Sequence, residues 1–180
     1  MLTDLFKTQE RETILACTLD RPSCTVQEIA DATGITKGLV SRYLALLASR
    51  KILARDKMTY KLQDTPMTRH LKKLLNIERL QSIITLPGWA EGIGVYGSWA
   101  EGTNTEESDL DIWVRTMTLQ PELTIARLER EWKKALSSEI HLLILTPEKY
   151  RTLAESDQPF HRSFAKNAIV LAGAGYDRDL

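Results

Sequence analysis

The segment Gly97-Ser98-Trp99-Ala100-Glu101-Gly102 is followed, seven residues after its last glycine, by Asp109-Leu110-Asp111-Ile112-Trp113-Val114. The first half suits a phosphate. Ile93-Gly94-Val95-Tyr96 is short, apolar and β-compatible, and it stops at Gly97-Ser98, which predicts a strand running into a tight turn. Lacking a Cβ, Gly97 lets that turn approach a ligand closely. Backbone N–H groups freed there favour an anion, and the Ser98 hydroxyl can add a donor. The second half suits a cation. Leu110, Ile112 and Val114 alternate with Asp109, Asp111 and Arg115, so a strand would put both aspartates on one face, about 7 Å apart at the backbone. Two carboxylates that close repel unless a cation lies between them. Mg²⁺ suits oxygen ligands supplied partly by protein and partly by substrate phosphates.

The stretch from Gly97 to Val114, with Gly-Ser, a spacer and Asp-x-Asp flanked by apolar residues, resembles the signature of the nucleotidyltransferase superfamily that includes DNA polymerase β. Its small size and its Ser108-Asp109-Leu110-Asp111 form look most like the minimal nucleotidyltransferases of archaea and bacteria. The resemblance implies a small mixed sheet with helices packed on it, Asp109 and Asp111 as metal ligands, and Gly97 and Ser98 on the triphosphate. It further implies Mg²⁺ or Mn²⁺ as cofactor and a nucleoside triphosphate as substrate.

One position departs from the pattern. The family usually supplies a third carboxylate from the strand beside Asp-x-Asp, and the matching stretch here is Ile140-His141-Leu142-Leu143, with histidine in place of aspartate. Glu139 lies two residues earlier, on the same face if the strand alternates. Asp109, Asp111, Glu139 and His141 are therefore the candidate catalytic residues, with the role of the last two open: either assists the acceptor, or Glu139 is an exposed strand start and His141 a space filler.

These residues need a frame to hold them. After the Asp-x-Asp strand, Pro121 opens a predicted helix with Leu123, Ile125, Leu128, Trp132 and Leu136 inward. A strand at 140–145, a helix capped by Thr146-Pro147 and a last apolar run, Ile169-Val170-Leu171, complete the half. Trp99 and Trp113 read as core or pocket wall.

The N-terminal half has a different charge. From Ile35 to Leu62 there are seven basic residues against one acidic residue, and from Glu91 to the end fifteen acidic against ten basic. A basic half joined to an acidic half predicts two jobs. Helices are expected near Gln9–Leu19, from Val26 with a Thr25/Glu28 capping box, and from Thr36 to Ser49 with Leu39, Val40, Tyr43, Leu44 and Leu47 as the apolar stripe. Ile52-Leu53-Ala54-Arg55 and Thr59-Tyr60-Lys61-Leu62 read as a wing. Residues 25–62 resemble the winged helix-turn-helix domains of prokaryotic transcription regulators, which implies that Thr36, Lys37, Gly38, Ser41 and Arg42 face a major groove and that Lys57 and Lys61 meet phosphates. A docking or dimerisation module is the plainer alternative.

The expected fold class is α/β (α+β): a winged helix-turn-helix domain at 1–64, a linker helix at 65–88, and a minimal nucleotidyltransferase domain at 89–180. The helix should run from about Met67 to Thr85, with Arg69, Lys72, Lys73 and Arg79 extending a basic face. Apolar content of 43% and charged content of 27% are ordinary for a soluble protein. No segment predicts a membrane span, and Met1–Lys7 lacks a signal peptide's character, so a cytoplasmic protein is expected. Cys17 and Cys24 are expected as reduced thiols, with Cys17 in the core.

Two functions follow from the resemblance. One is cation-dependent transfer of a nucleoside monophosphate from a triphosphate to an acceptor hydroxyl. Small relatives of this kind act as antitoxins that modify a partner toxin, so a toxin-like partner protein is a fitting acceptor. The other is a duplex-DNA-binding regulator whose nucleotidyltransferase domain senses a nucleotide or is inactive. A homodimer is compatible with either.

Overall fold

The computed structural model describes residues 2–177. Its chain divides into two compact units, Met1–Lys72 and Lys73–Leu180.

In the first unit, α1 (Gln9–Leu19) starts where Thr8 accepts a hydrogen bond from the Arg11 amide. Next come β1 (Ser23–Thr25), α2 (Val26–Thr33), α3 (Lys37–Ser49), β2 (Leu53–Asp56) and β3 (Thr59–Leu62). The Thr25/Glu28 capping box is complete: the Glu28 amide donates to Thr25 Oγ1 at 3.2 Å, and the Thr25 amide donates to Glu28 Oε2 at 2.7 Å. Such a cap is worth about 1 kcal/mol. Gly34, at φ +70°, ends α2 and turns the chain into α3. Val40, Tyr43, Leu44 and Leu47 are buried on α3, together with Ile14, Leu15 and Leu19 of α1 and Ile29 of α2. The wing is real, and it gains a strand the sequence reading did not contain. The sheet order is β1-β3-β2, all antiparallel, with Cys24 opposite Tyr60. That pairing corrects the cysteine expectation, because Cys24 is the buried thiol and Cys17 is only half-buried.

Helix α4 (Pro66–Ile83) starts in the first unit and continues into the second. Its expected basic face is only partly solvated. Lys72 is buried and donates to the Leu19 carbonyl at 2.6 Å, with Asp20 Oδ1 3.9 Å away, so it closes the last turn of α1. Arg79 lies 5.6 Å from the Trp99 ring centre and donates to the Leu136 carbonyl.

The second unit then runs β4 (Gly92–Tyr96), α5 (Gly97–Glu101), β5 (Leu110–Arg115), α6 (Glu122–Leu136), β6 (Ile140–Leu145), α7 (Pro147–Ser156), α8 (Gln158–Asn167) and β7 (Ile169–Gly173). The sheet order is β6-β5-β4-β7, with β5 and β6 parallel and the other pairs antiparallel. On one face Ile93, Val95, Leu110, Ile112 and Val114 pack with Leu80, Ile84, Trp132 and Leu136. On the other, Trp113 and Leu145 meet Phe164 of α8, with Tyr96, Tyr150, Phe160 and Tyr176 around them. Both tryptophans of the motif are thus core. Leu123 is not inward as expected: it lies in the first turn of α6 and is 63% exposed. Helix α8 was also unforeseen, although Asp157 caps it by accepting from the Phe160 amide. Among the described residues no helix is long and apolar enough to cross a membrane.

Candidate functional site

The site is assembled where β4 ends and β5 and β6 begin. Strand register sets Tyr96 opposite Asp111 across the antiparallel pair, and Asp111 opposite His141 across the parallel pair. Three side chains from three strands therefore meet in one row.

Gly97 opens α5 with φ +65°, a conformation that a side chain disfavours. The space beside it is already taken. A Cβ at Gly97 would overlap Asp111 Oδ2 and lie 3.2 Å from its Cγ. Gly97 is therefore a cradle for the Asp111 carboxylate as much as for any ligand. Ser98 follows, half-buried, with its carbonyl accepting from the amides of Gly102 and Thr103.

Strand β5 begins at Leu110, so Asp109 sits at its entrance, exposed, while Asp111 is half-buried within it. Burial pushes the Asp111 carboxyl above the usual aspartate range, attraction and a hydrogen bond from His141 pull it back, and the Asp109 charge pushes it up again. The like-charge effect shows that the two carboxylates feel one another. Tyr96 bounds the row on the β4 side. Burial first, and then the Asp111 charge, push its phenol up to about 12, so it stays neutral and packs edge-on against Phe160 and Phe164.

His141 and Glu139 part company. His141 Nδ1 stands 3.5 Å from Asp111 Oδ1, with the ring largely exposed. Glu139 lies just before β6 and is ion-paired to Lys133 of α6 at 2.5 Å. A cleft of about 310 Å³ is lined by Asp109, Glu139, Lys133, Glu106, Glu107 and three serines, Ser108, Ser137 and Ser138. Gly97, Ser98, Asp111 and His141 are not part of that lining. Lys133 was missed in the sequence because the turn at Ser137, with φ +54°, folds α6 back toward Glu139.

The spacer between the two halves of the motif is held by a residue far from it in sequence. Asn76 of α4 donates 2.9 Å bonds to the Trp99 carbonyl and to Asn104 Oδ1. Ser108 Oγ accepts from the Thr105 amide, and the Ser108 amide donates to the Thr105 carbonyl, closing the turn that delivers Asp109. A buried asparagine on the face of α4 was the only signal of this support.

The donor chemistry fits a divalent cation that also holds phosphates. Asp109 and Asp111 are oxygen donors two residues apart, and burial desolvates the Asp111 carboxylate. Among the described residues no three His, Cys, Asp or Glu side chains gather as a ready-made metal site. Substrate oxygens would complete the coordination.

Residues 78–157 match the family model described as Polymerase beta, Nucleotidyltransferase. That segment, 80 of the 180 residues, is similar to the polymerase β-type nucleotidyltransferases. Residues 13–57 match the IclR helix-turn-helix domain. No curated protein matches the chain. Solved structures it resembles include a toxin-antitoxin complex with AMP-PNP, 21% identical over 58% of this chain and 76% of that one, TM-score 0.39. Another is a tri-AMPylated HEPN toxin of Shewanella oneidensis with its MNT antitoxin, 16% identical over 57% and 73%, TM-score 0.38. A third is an IclR family transcriptional regulator from Brucella abortus, 19% identical over 92% and 74%, TM-score 0.31. These are partial overlaps.

In the helix-turn-helix domain, Thr36, Lys37, Gly38, Ser41 and Arg42 are all exposed at the start of α3. Thr36 precedes the helix without using its side chain as a cap, which leaves the hydroxyl outward. Lys57, at φ +55°, and Lys61 are exposed on the wing. Lys61 pairs with Asp56 at 3.1 Å, and Arg55 lies 5.8 Å from the Tyr60 ring centre, stiffening the hairpin.

Proposed function

We propose that residues 89–180 bind a nucleoside triphosphate with a divalent cation, Mg²⁺ or Mn²⁺, and transfer its nucleoside monophosphate to an acceptor hydroxyl. Residues 1–64 bind duplex DNA, and 65–88 link the two. The observation that supports the reading is the close approach of Gly97 and Asp111: the glycine proposed for the phosphate leaves room for the aspartate proposed for the cation, as one shared site requires.

In this reading Asp109 and Asp111 hold the cation, and the Gly97–Ser98 turn orients the triphosphate. When bound, the cation neutralises phosphate charge and stabilises the leaving oxygen. A bond forms between the acceptor oxygen and the α-phosphorus, the α–β phosphoanhydride bond breaks, and pyrophosphate leaves. The acceptor's proton goes to a base. Glu139 is suited to that role because it lines the cleft beside Asp109, and Lys133 holds its carboxylate there. The resemblance implies a hydroxyl on a partner protein as acceptor.

A second reading is favoured by one observation, the histidine facing Asp111 where the family carries a carboxylate. In it the domain binds a nucleotide and does not turn it over, and the chain is a DNA-binding regulator of transcription. Incubating the purified protein with each α-labelled triphosphate, Mg²⁺ or Mn²⁺ and cell extract separates the two. A labelled protein band supports transfer and identifies the acceptor. Cation-dependent nucleotide binding with no label under any condition supports the sensor.

A further inference from the structure

We propose that His141 is itself a ligand of the cation, beside Asp111, and that the site therefore selects Mn²⁺ over Mg²⁺. The inference rests on the cation site proposed above and specifies which residues and which ion it uses.

Register comes first. His141 is not a neighbour of Asp111 by side-chain reach alone: the parallel pairing of β5 and β6 sets the two residues directly opposite one another. Their facing atoms, Nδ1 and Oδ1, are 3.5 Å apart. A strong charge-assisted hydrogen bond between nitrogen and carboxylate oxygen is shorter, about 2.7–2.9 Å. Two cis donors each about 2.1 Å from a shared octahedral ion, the geometry of Mg²⁺ and Mn²⁺, stand about 3.0 Å apart. At 3.5 Å the His141–Asp111 contact is long for such a hydrogen bond and within about half an ångström of the separation a shared octahedral ion sets, a difference that a small turn of the exposed ring closes.

Access is the second point. The His141 side chain is 63% exposed, so the ring is open to a metal and its phosphate partners and is not filling core space. On the other side Asp111 Oδ2 occupies the space where a Gly97 side chain would lie, and Oδ1 is the oxygen that faces His141. Glu139, the other candidate for the missing carboxylate, is engaged by Lys133. Among the described residues, the His141 imidazole is then the side chain that faces Asp111 in the position where the family places oxygen.

Ligand type decides the ion. Mg²⁺ is a hard cation that takes oxygen donors and keeps its waters, whereas imidazole nitrogen is a poor exchange for them. Mn²⁺ shares the octahedral, oxygen-rich preference of Mg²⁺, but as a first-row transition metal it is the softer of the two and loses less when an imidazole nitrogen replaces one oxygen. Exchanging an aspartate for a histidine at this position removes one negative charge and adds one softer donor, and both changes count against Mg²⁺.

The test uses the full chain with inorganic tripolyphosphate, which carries no nitrogen of its own. Mn²⁺ binding is followed by the loss of the free-ion electron paramagnetic resonance signal, Mg²⁺ by competition, and a directly bound nitrogen by pulsed measurements on the bound ion. Wild type should prefer Mn²⁺ and show a nitrogen coupling. His141→Ala should lose the coupling and at least about tenfold in Mn²⁺ affinity, since even outer-sphere partners of metal ligands are worth that much. His141→Asp should bind both ions with the preference diminished and no nitrogen coupling. A wild-type Mn²⁺ complex without nitrogen coupling, or an unchanged preference in His141→Ala, overturns the inference. Asp109→Asn with Asp111→Asn separates the two levels: if that variant still binds Mn²⁺ as wild type does, the cation site itself is wrong, whereas if it loses Mn²⁺ and His141→Ala does not, only the histidine's role is wrong.

Discussion

The Gly97 backbone lies against the Asp111 carboxylate so closely that no side chain fits between them. Two motif halves, with thirteen residues of chain between Gly97 and Asp111, are thereby brought side by side. Gly97→Ala should cost about 1–2 kcal/mol for the positive φ alone. It should also displace Asp111 and weaken cation-dependent triphosphate binding at least about tenfold, a loss of about 1.4 kcal/mol. Thermal melts and calorimetry read the two effects separately. An alanine variant with wild-type stability and affinity would show that the close approach has no consequence.

Asp111 carries the cost of a desolvated charge beside a like charge. Functional sites commonly trade stability in this way, and relieving the trade typically returns about 0.5–2 kcal/mol. In metal-free buffer Asp111→Asn should therefore melt higher than wild type. Adding Mn²⁺ and a triphosphate should reverse the order, because only wild type gains from binding. Melting curves with and without the ligands give both comparisons.

Much of this was legible in the sequence, and the failures share a cause. The Thr25/Glu28 box and the α1 and α3 stripes are local patterns, and they formed where their spacing placed them. Strand β1 is three residues long and exists only because Cys24 and its neighbours find β3, thirty-six residues on. Lys72 reads as surface charge until the end of α1 offers its Leu19 carbonyl. Leu123 fits the stripe of α6 by spacing, yet the first turn of that helix reaches past what the sheet covers. In the site, Gly97 and Asp111 announced themselves by type, whereas the Lys133–Glu139 pair and the Asn76 brace depend on tertiary placement that spacing does not encode. Helix α8 is the exception, since Asp157 and Pro159 were a readable start signal.

The wing and α3 carry the DNA prediction. Arg42→Ala should weaken duplex binding, and Lys57→Ala should weaken it uniformly across sequences while reducing the salt slope by about one. Lys61 is paired with Asp56, so Asp56→Ala should strengthen binding by releasing a phosphate contact and removing a negative charge. Gel shifts at two salt concentrations test the set. No duplex binding by wild type at low salt would favour the docking-module alternative.

Lys72 gives a pH signature. Burial holds its amine below the ordinary lysine value of 10.5, with Asp20 opposing the shift. Between that lowered value and 10.5 the unfolded chain binds the proton more than the folded one does, so folding stability rises with pH across this window. Relative to Lys72→Met, wild type should gain stability as pH climbs through the window and show a constant difference below it. Urea melts across the alkaline range check this. A difference that stays flat throughout would mean the ammonium is not desolvated.

The central claim is that Asp109, Asp111 and the Gly97–Ser98 turn form one site for a cation and a triphosphate. Calorimetric titration of a non-hydrolysable nucleoside triphosphate into wild type and into the Asp109→Asn, Asp111→Asn variant, each with and without divalent cation, tests it most directly. The account predicts binding to wild type only when the cation is present, and loss of that cation-dependent binding in the variant. Equal, cation-independent affinity in both proteins would contradict it.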